Sequence, residues 1–185
     1  MEEVYIIELK GAKLFYLVDY HPKTFHGQAN PNHDENSELL LAFKDGSPSG
    51  ISFYTESAIK MISYIAKNYH VDGIVIVPSH NEFEYSRGLV RIIDEACRVT
   101  GLEDLHKSLR RVYSIGKISS GGNRSIDQHI RSINVIDKDV INKDIIVFDD
   151  VVTSGNSMHA CEDKLLSAGA SSVLFASLCH TKHYY

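Results

Sequence analysis

The run Ile145-Ile146-Val147-Phe148-Asp149-Asp150-Val151-Val152-Thr153-Ser154-Gly155-Asn156-Ser157-Met158 decides how this chain folds. Four successive apolar residues, mostly β-branched, are the pattern of a strand buried on both faces, since a half-exposed strand would alternate apolar with polar side chains. Two carboxylates close the strand, small hydroxyl residues and one glycine follow, and Met158, Cys161, Leu165 and Ala168 recur at helical spacing. The predicted order is strand, acidic pair, loop, helix. A helix start presents unpaired N–H groups and a dipole that favours a phosphate by about 0.3 to 1 kcal/mol. Thr153, Ser154 and Ser157 offer hydroxyl donors, and Gly155 permits close approach or a positive φ. Asp149 and Asp150 are acceptors suited to a vicinal diol. Such a segment fits a ligand with a phosphate at one end and sugar hydroxyls at the other.

Outward from that run, buried strands and amphipathic helices alternate. Ala58, Met61, Ile62, Ile65, Ala66 and Tyr69 keep helical spacing, Gly73-Ile74-Val75-Ile76-Val77 reads as a second buried strand, and Leu89, Ile92, Ile93, Ala96 and Cys97 form the stripe of another helix. Ser125 with Gln128 three residues later predicts a capped helix, and residues 172 to 178 form the next strand. The pattern implies an α/β fold with a mainly parallel sheet and helices on both faces. Residues 111 to 113 are read as a weak second core strand, 4 to 9 and 14 to 19 as a hairpin, 21 to 36 as an exposed loop, and 38 to 43 as a further strand. One domain is expected, with residues 1 to 56 as a small amino-terminal cap and 57 to 185 as the α/β core. Ligands of open α/β sheets bind beyond the carboxyl ends of the strands, which brings Pro78-Ser79-His80-Asn81 and Arg87 to the edge that carries Asp149.

Composition narrows the function. At 185 residues, 43% hydrophobic and 23% charged, the chain is an ordinary globular domain. A net charge of -5 speaks against a general nucleic-acid grip, which needs concentrated Lys and Arg. Three cysteines without a CxxC pair indicate neither a disulfide framework nor a cysteine zinc site. The start Met1-Glu2-Glu3 does not read as a signal peptide and no stretch approaches 18 apolar residues, so the expected compartment is the cytoplasm, with no membrane partner. His21, His26, His33, His180 and His183 lack ligand spacing and are read as surface residues. No P-loop and no Gly-x-Gly-x-x-Gly occurs.

Residues 148 to 157 resemble the phosphoribosyl pyrophosphate (PRPP) signature of type I phosphoribosyltransferases: an apolar strand, two acids, two apolar residues, Thr-Ser-Gly, any residue, then Ser or Thr. The resemblance implies that Asp149 and Asp150 hold the ribose hydroxyls and that Val151, Thr153, Ser154, Gly155, Asn156 and Ser157 belong to the phosphate loop. It implies that Ser79, His80 and Arg87 serve the pyrophosphate, and that residues 113 to 124 form a lid whose Lys117 and Arg124 take part in catalysis. Magnesium, with Asp149 and Asp150 as oxygen donors, PRPP as co-substrate, a small-molecule base as acceptor and a homodimer are implied with it. The reaction would be displacement of pyrophosphate by a nitrogen nucleophile. Pro78 after its strand, Arg87-Gly88, and Gln128, Arg131 and Asn134 look like the ComF-like branch, although that branch's amino-terminal zinc-binding cysteines are absent. Thr153 stands where purine-salvage members carry an acid. Two other readings stay open: a PRPP or nucleotide sensor without turnover, suggested by Glu82 and Glu84 near the pyrophosphate loop, and a phosphoacceptor receiver domain, which also carries an acid pair at a strand end.

Overall fold

The buried runs assemble into one six-stranded sheet. A computed structural model describes residues 4–25, 27–116 and 125–182. Its strands are β1 (Tyr5–Leu9), β2 (Ala12–Tyr20), β3 (Thr24–Phe25), β4 (Gln28–Ala29), β5 (Gly73–Ile76), β6 (Glu103–Asp104), β7 (Leu109–Arg111), β8 (Ile133–Val135), β9 (Asp144–Val152) and β10 (Ser172–Thr181). The helices are α1 (Glu35–Lys44), α2 (Pro48–Asn68), α3 (Arg87–Thr100), α4 (Ile126–Ser132) and α5 (Asn156–Ser167). The main sheet runs β1-β2-β10-β9-β5-β6, parallel throughout except for the antiparallel β1 at one edge. β3 with β4, and β7 with β8, form two small antiparallel pairs.

Side-chain alternation divides the core into two layers. Ile146 and Phe148 of β9 join Ile74 and Ile76 of β5 under α1, α2 and α3, whereas Ile145 and Val147 join Val75 and Val77 under α5. Fully burying each such Val, Ile or Phe side chain contributes about 1.5 to 3 kcal/mol. The expected mainly parallel α/β sheet with helices on both faces is the observed one. β5 leads through α3 on one face to β6, and β9 leads through α5 on the other face to β10. The chain therefore leaves two neighbouring parallel strands in opposite directions, which opens a crevice at their carboxyl ends.

Three local expectations differ from the structure. Residues 38 to 43 are not a strand but the body of α1, which Asp34 caps by accepting a hydrogen bond from the Ser37 N–H at 2.9 Å. α2 begins nine residues before Ser57, at Pro48, which suits a first helical position because its nitrogen needs no partner. The strand expected at residues 111 to 113 ends at Arg111 and pairs with β8, and the neighbour of β5 is the two-residue polar β6. Within the stretch read as a cap, β2 pairs directly with β10, so the first hairpin is continuous with the sheet.

The end of α1 is fixed by two glycines. A Cβ on Gly50 would lie 2.3 Å from the Phe43 nitrogen, and one on Gly88 would lie 2.6 Å from the Phe43 ring. These contacts bring α2 and α3 against Phe43 and so hold the next residue, Lys44, over the end of β9. Gly88→Ala should therefore cost about 1 to 3 kcal/mol of stability through overpacking. Chemical denaturation would measure that loss, and an unchanged midpoint would show that Phe43 has room to move.

Candidate functional site at the carboxyl edge of the sheet

Asp149 and Asp150 sit where β9 runs out of apolar residues, and strand alternation sends them to opposite faces. Asp150 turns to the α1 layer, where Lys44 Nζ lies 3.4 Å from its Oδ1. Asp149 turns to the α5 layer and its Oδ1 accepts the Asp150 N–H at 2.8 Å. Burial, reinforced by the charge of Asp150, pushes the Asp149 carboxyl up to about 8, against the lowering effects of the Asp150 N–H, Lys44 and Arg111. Burial alone would lower the Lys44 ammonium, but Asp150 and Asp149 outweigh it and hold Lys44 above the usual lysine range. The crevice thus holds two crowded acids, with the charge of Lys44 acting on both and that of Arg111 adding to it at Asp149.

The loop after β5 lies beside them. The Val77 N–H donates to the Phe148 carbonyl at 2.9 Å, extending the β5–β9 pairing to the last residue before Pro78. The Ser79 N–H donates to the Glu84 carbonyl at 3.0 Å, and Asn81 Nδ2 donates to Glu84 Oε2 at 2.7 Å, closing the loop on itself. From below, the buried Arg111 guanidinium donates to the carbonyls of Ser79 and Pro78, the latter at 3.2 Å. Phe83, at the loop tip, takes a φ of 58° and is 59% exposed.

The third wall is the start of α5. Asp34, Ser86 and Ser125 each cap their helices by accepting a backbone N–H, whereas α2 and α5 start without such a cap and with no acid in the first turn; at α5 the Asn156 N–H reaches only Ser154 Oγ, at 3.5 Å. Gly155 occupies the cap position with a φ of 76°, which a side chain would strain, and an added Cβ would also lie 2.6 Å from Leu9 Cδ2. Lys10, at the turn of the first hairpin, donates to Asn156 Oδ1 at 2.9 Å. Thr153 and Thr181 share a hydroxyl hydrogen bond of 2.7 Å, and Ser154 and Ser157 flank Gly155 and Asn156 on the loop and first turn.

The crevice thus gathers Asp149, Asp150, Ser79, His80 and residues 153 to 157 at one edge. Arg87 is the exposed first residue of α3, next to the Gly88 contact with Phe43. Lys117 and Arg124, and with them most of the expected lid, lie outside the described residues. Sequence reasoning missed Lys44, Arg111 and Lys10. The only signal for Lys44 was its place in the last turn of a helix, and for Lys10 its place in a hairpin turn. His21, read as a surface residue, is buried, and its N–H donates to Ser37 Oγ at 2.9 Å. Among the described residues a second grouping with metal-ligand character is His70, Asp72 and Asp144, at the opposite, amino edge. There His70 Nδ1 lies 2.7 Å from Asp144 Oδ2, and Asp72 Oδ2 accepts the Asp144 N–H at 2.8 Å.

No protein-family profile matches the chain, and no curated protein matches it in sequence. Among solved structures, the chain is similar to a purine phosphoribosyltransferase from Pyrococcus horikoshii, with a TM-score of 0.44 and 17% identity over 69% of this chain and 73% of that one. It is also similar to a hypoxanthine phosphoribosyltransferase from Staphylococcus aureus, with a TM-score of 0.41 and 12% identity over 73% of this chain and 69% of that one.

The raised Asp149 carboxyl makes stability depend on pH. Between its ordinary value of 3.8 and the folded value of about 8, the folded chain holds a proton that the unfolded chain has released. Stability contributed by this group is therefore full below about 4, falls as pH rises toward about 8, and levels off above. Asp149→Asn removes the dependence while keeping an acceptor for the Asp150 N–H. Its melting temperature should gain on the native protein between pH 5 and pH 8.5, and parallel pH profiles would contradict the assignment.

Proposed function

We propose that the carboxyl-edge crevice binds PRPP and that the chain is a phosphoribosyltransferase, transferring ribose 5-phosphate to a nitrogenous base or related nucleophile with release of pyrophosphate. The observation that carries this reading is the uncapped start of α5 directly after the acid pair, at the point where neighbouring strands diverge. α2 also starts without a side-chain cap, but behind Pro48, which has no N–H to satisfy, and not after an acid pair, so an open start that follows two acids is found at this position alone among the described helices.

In this reading the first-turn N–H groups of α5, with Thr153, Ser154, Asn156 and Ser157, take the 5′-phosphate. Asp149 and Asp150 reach past the sheet edge from both of its faces and accept the two ribose hydroxyls. Ser79, His80 and Arg87 attend the pyrophosphate, and Lys117 and Arg124 keep the catalytic part that the resemblance implies for them. Two crowded carboxylates on one strand end are a donor set that suits a hard divalent cation, so Asp149 and Asp150 would hold magnesium. When bound, that ion neutralises charge on the departing pyrophosphate. The protein's own contribution is positioning and charge stabilisation of a ribose ring that becomes positive as the bond breaks. No helix among the described residues is long and apolar enough to cross a membrane. A cytoplasmic location and a homodimer complete the reading.

Glu84 favours a second reading on the same site. Its carboxylate is bonded to Asn81 within the pyrophosphate loop, where negative charge opposes an anion. A PRPP or nucleotide sensor would tolerate that charge better than an enzyme that must stabilise a leaving pyrophosphate.

Calorimetry with PRPP and magnesium should show binding by the native protein. Asp149→Asn and Asp150→Asn should each weaken it by about 10- to 150-fold, the worth of lost charge-assisted hydrogen bonds. Absence of native binding, or undiminished binding by both variants, would remove the assignment. Pyrophosphate release with a panel of bases then separates transferase from sensor.

A further inference from the structure

Among the described residues Arg111 is the largest fully buried side chain, 1% exposed, and the phosphoribosyl reading gives it no role. Burying a guanidinium is costly unless its donors are satisfied, so its partners show what the charge is kept for. Two of them are consecutive carbonyls of one loop: Nε donates to Ser79 and Nη2 to Pro78. On the other side Nη1 donates to Ser132 Oγ, and Nη2 lies 3.5 Å from His129 Nδ1, so β7 and the end of α4 hold the fork in place.

Peptide planarity turns those two bonds into a directional effect. In a trans peptide the N–H points opposite to the C=O, so drawing the carbonyls of Pro78 and Ser79 down onto Arg111 turns both following N–H groups the other way: that of Ser79 closes the loop on the Glu84 carbonyl at 3.0 Å, and that of His80 is turned toward the crevice. A carbonyl facing outward would repel an anion at this position. The fork of donors suits two neighbouring carbonyls, whereas a lysine ammonium is a compact point charge that cannot reproduce it.

We propose that Arg111 is a positioning residue that presets the 78–81 loop for the pyrophosphate end of the ligand, acting through the Pro78 and Ser79 carbonyls and not by touching the ligand. The inference rests on the phosphoribosyl reading of the crevice and assigns the selectivity for a diphosphate over a lone sugar phosphate to a buried residue.

The test compares PRPP with ribose 5-phosphate, each with magnesium, by calorimetry on the native protein and on Arg111→Lys. Ribose 5-phosphate uses only the acid pair and the α5 start. Arg111→Lys should bind it within about two-fold of native while losing about 10- to 150-fold for PRPP, as expected for lost charge-assisted bonds. The amide resonances of Ser79 and His80 should shift in the variant while those of Asn156 and Ser157 stay in place. A merely structural arginine would weaken both ligands together. Equal PRPP binding by native and variant protein, or equal losses for both ligands, overturns the inference and leaves the phosphoribosyl reading standing. Failure of the native protein to bind either ligand overturns both. Should Arg111→Lys fail to fold, Ser132→Ala frees one arm of the fork, and the same split is expected at roughly three-fold; its absence overturns the inference.

Discussion

Two adjacent carboxylates at the end of one buried strand constrain the rest of this structure. Because strand side chains alternate, Asp149 and Asp150 set out toward different layers, and Lys44 still acts on both at the strand end. Lys44 comes to Asp150 from the helical layer of α1, α2 and α3, while the charge of Arg111 reaches Asp149 from the layer of α4 and α5. Each cation is placed by packing elsewhere: Lys44 by the close fit of Gly50 and Gly88 around Phe43, and Arg111 by its bonds to the loop after β5 and to Ser132. A partly exposed pair such as Lys44 and Asp150 contributes about 0 to 1 kcal/mol. The pair is therefore a minor contributor to stability.

The parts of this plan that were legible in the sequence are those written in short-range pattern. β5 and β9 announced themselves because a parallel strand covered on both faces is apolar without interruption, and the acid pair, Gly155 and the start of α5 follow within a few residues. The Ser125 cap was also readable, since Ser125 Oγ accepts the Gln128 N–H at 3.3 Å. α1 was misread because Leu39, Leu40 and Leu41 form an apolar run that suits either period, and the deciding signals, Asp34 as a cap and Glu35 in the first turn, were absorbed into the preceding loop, while Glu38 was taken as the start of the strand. β6 escaped notice because two exposed acidic residues carry no strand pattern. Lys44 and Arg111 were illegible for a different reason. Lys44 meets an acid more than a hundred residues away, and Arg111 meets carbonyls more than thirty residues before it, so only the folded topology joins them.

The first hairpin shows the same dependence on distant pairing. Read as part of a cap, it instead lays β2 against β10 and carries Leu9 and Lys10 to the first turn of α5, against the glycine that opens the helix. The start of α5 is thus bordered by an apolar side chain and a cation from the opposite end of the chain. A cavity of about 300 Å³ lies apart from the acid pair and is lined by Tyr5, Leu17, Asn36, Phe53 and Tyr54. Its mainly apolar lining suits neither a phosphate nor a sugar.

The central claim is that a phosphorylated ribose sits across the ends of β5 and β9. Backbone amide shifts recorded while PRPP and magnesium are added would locate the ligand without relying on turnover or on any substitution. The account predicts saturable shifts at residues 78 to 81, 149 to 150 and 153 to 157, with residues around Tyr5, Phe53 and Tyr54 unmoved. Shifts confined to that apolar cavity, or to the His70, Asp72 and Asp144 grouping at the amino edge, would contradict it.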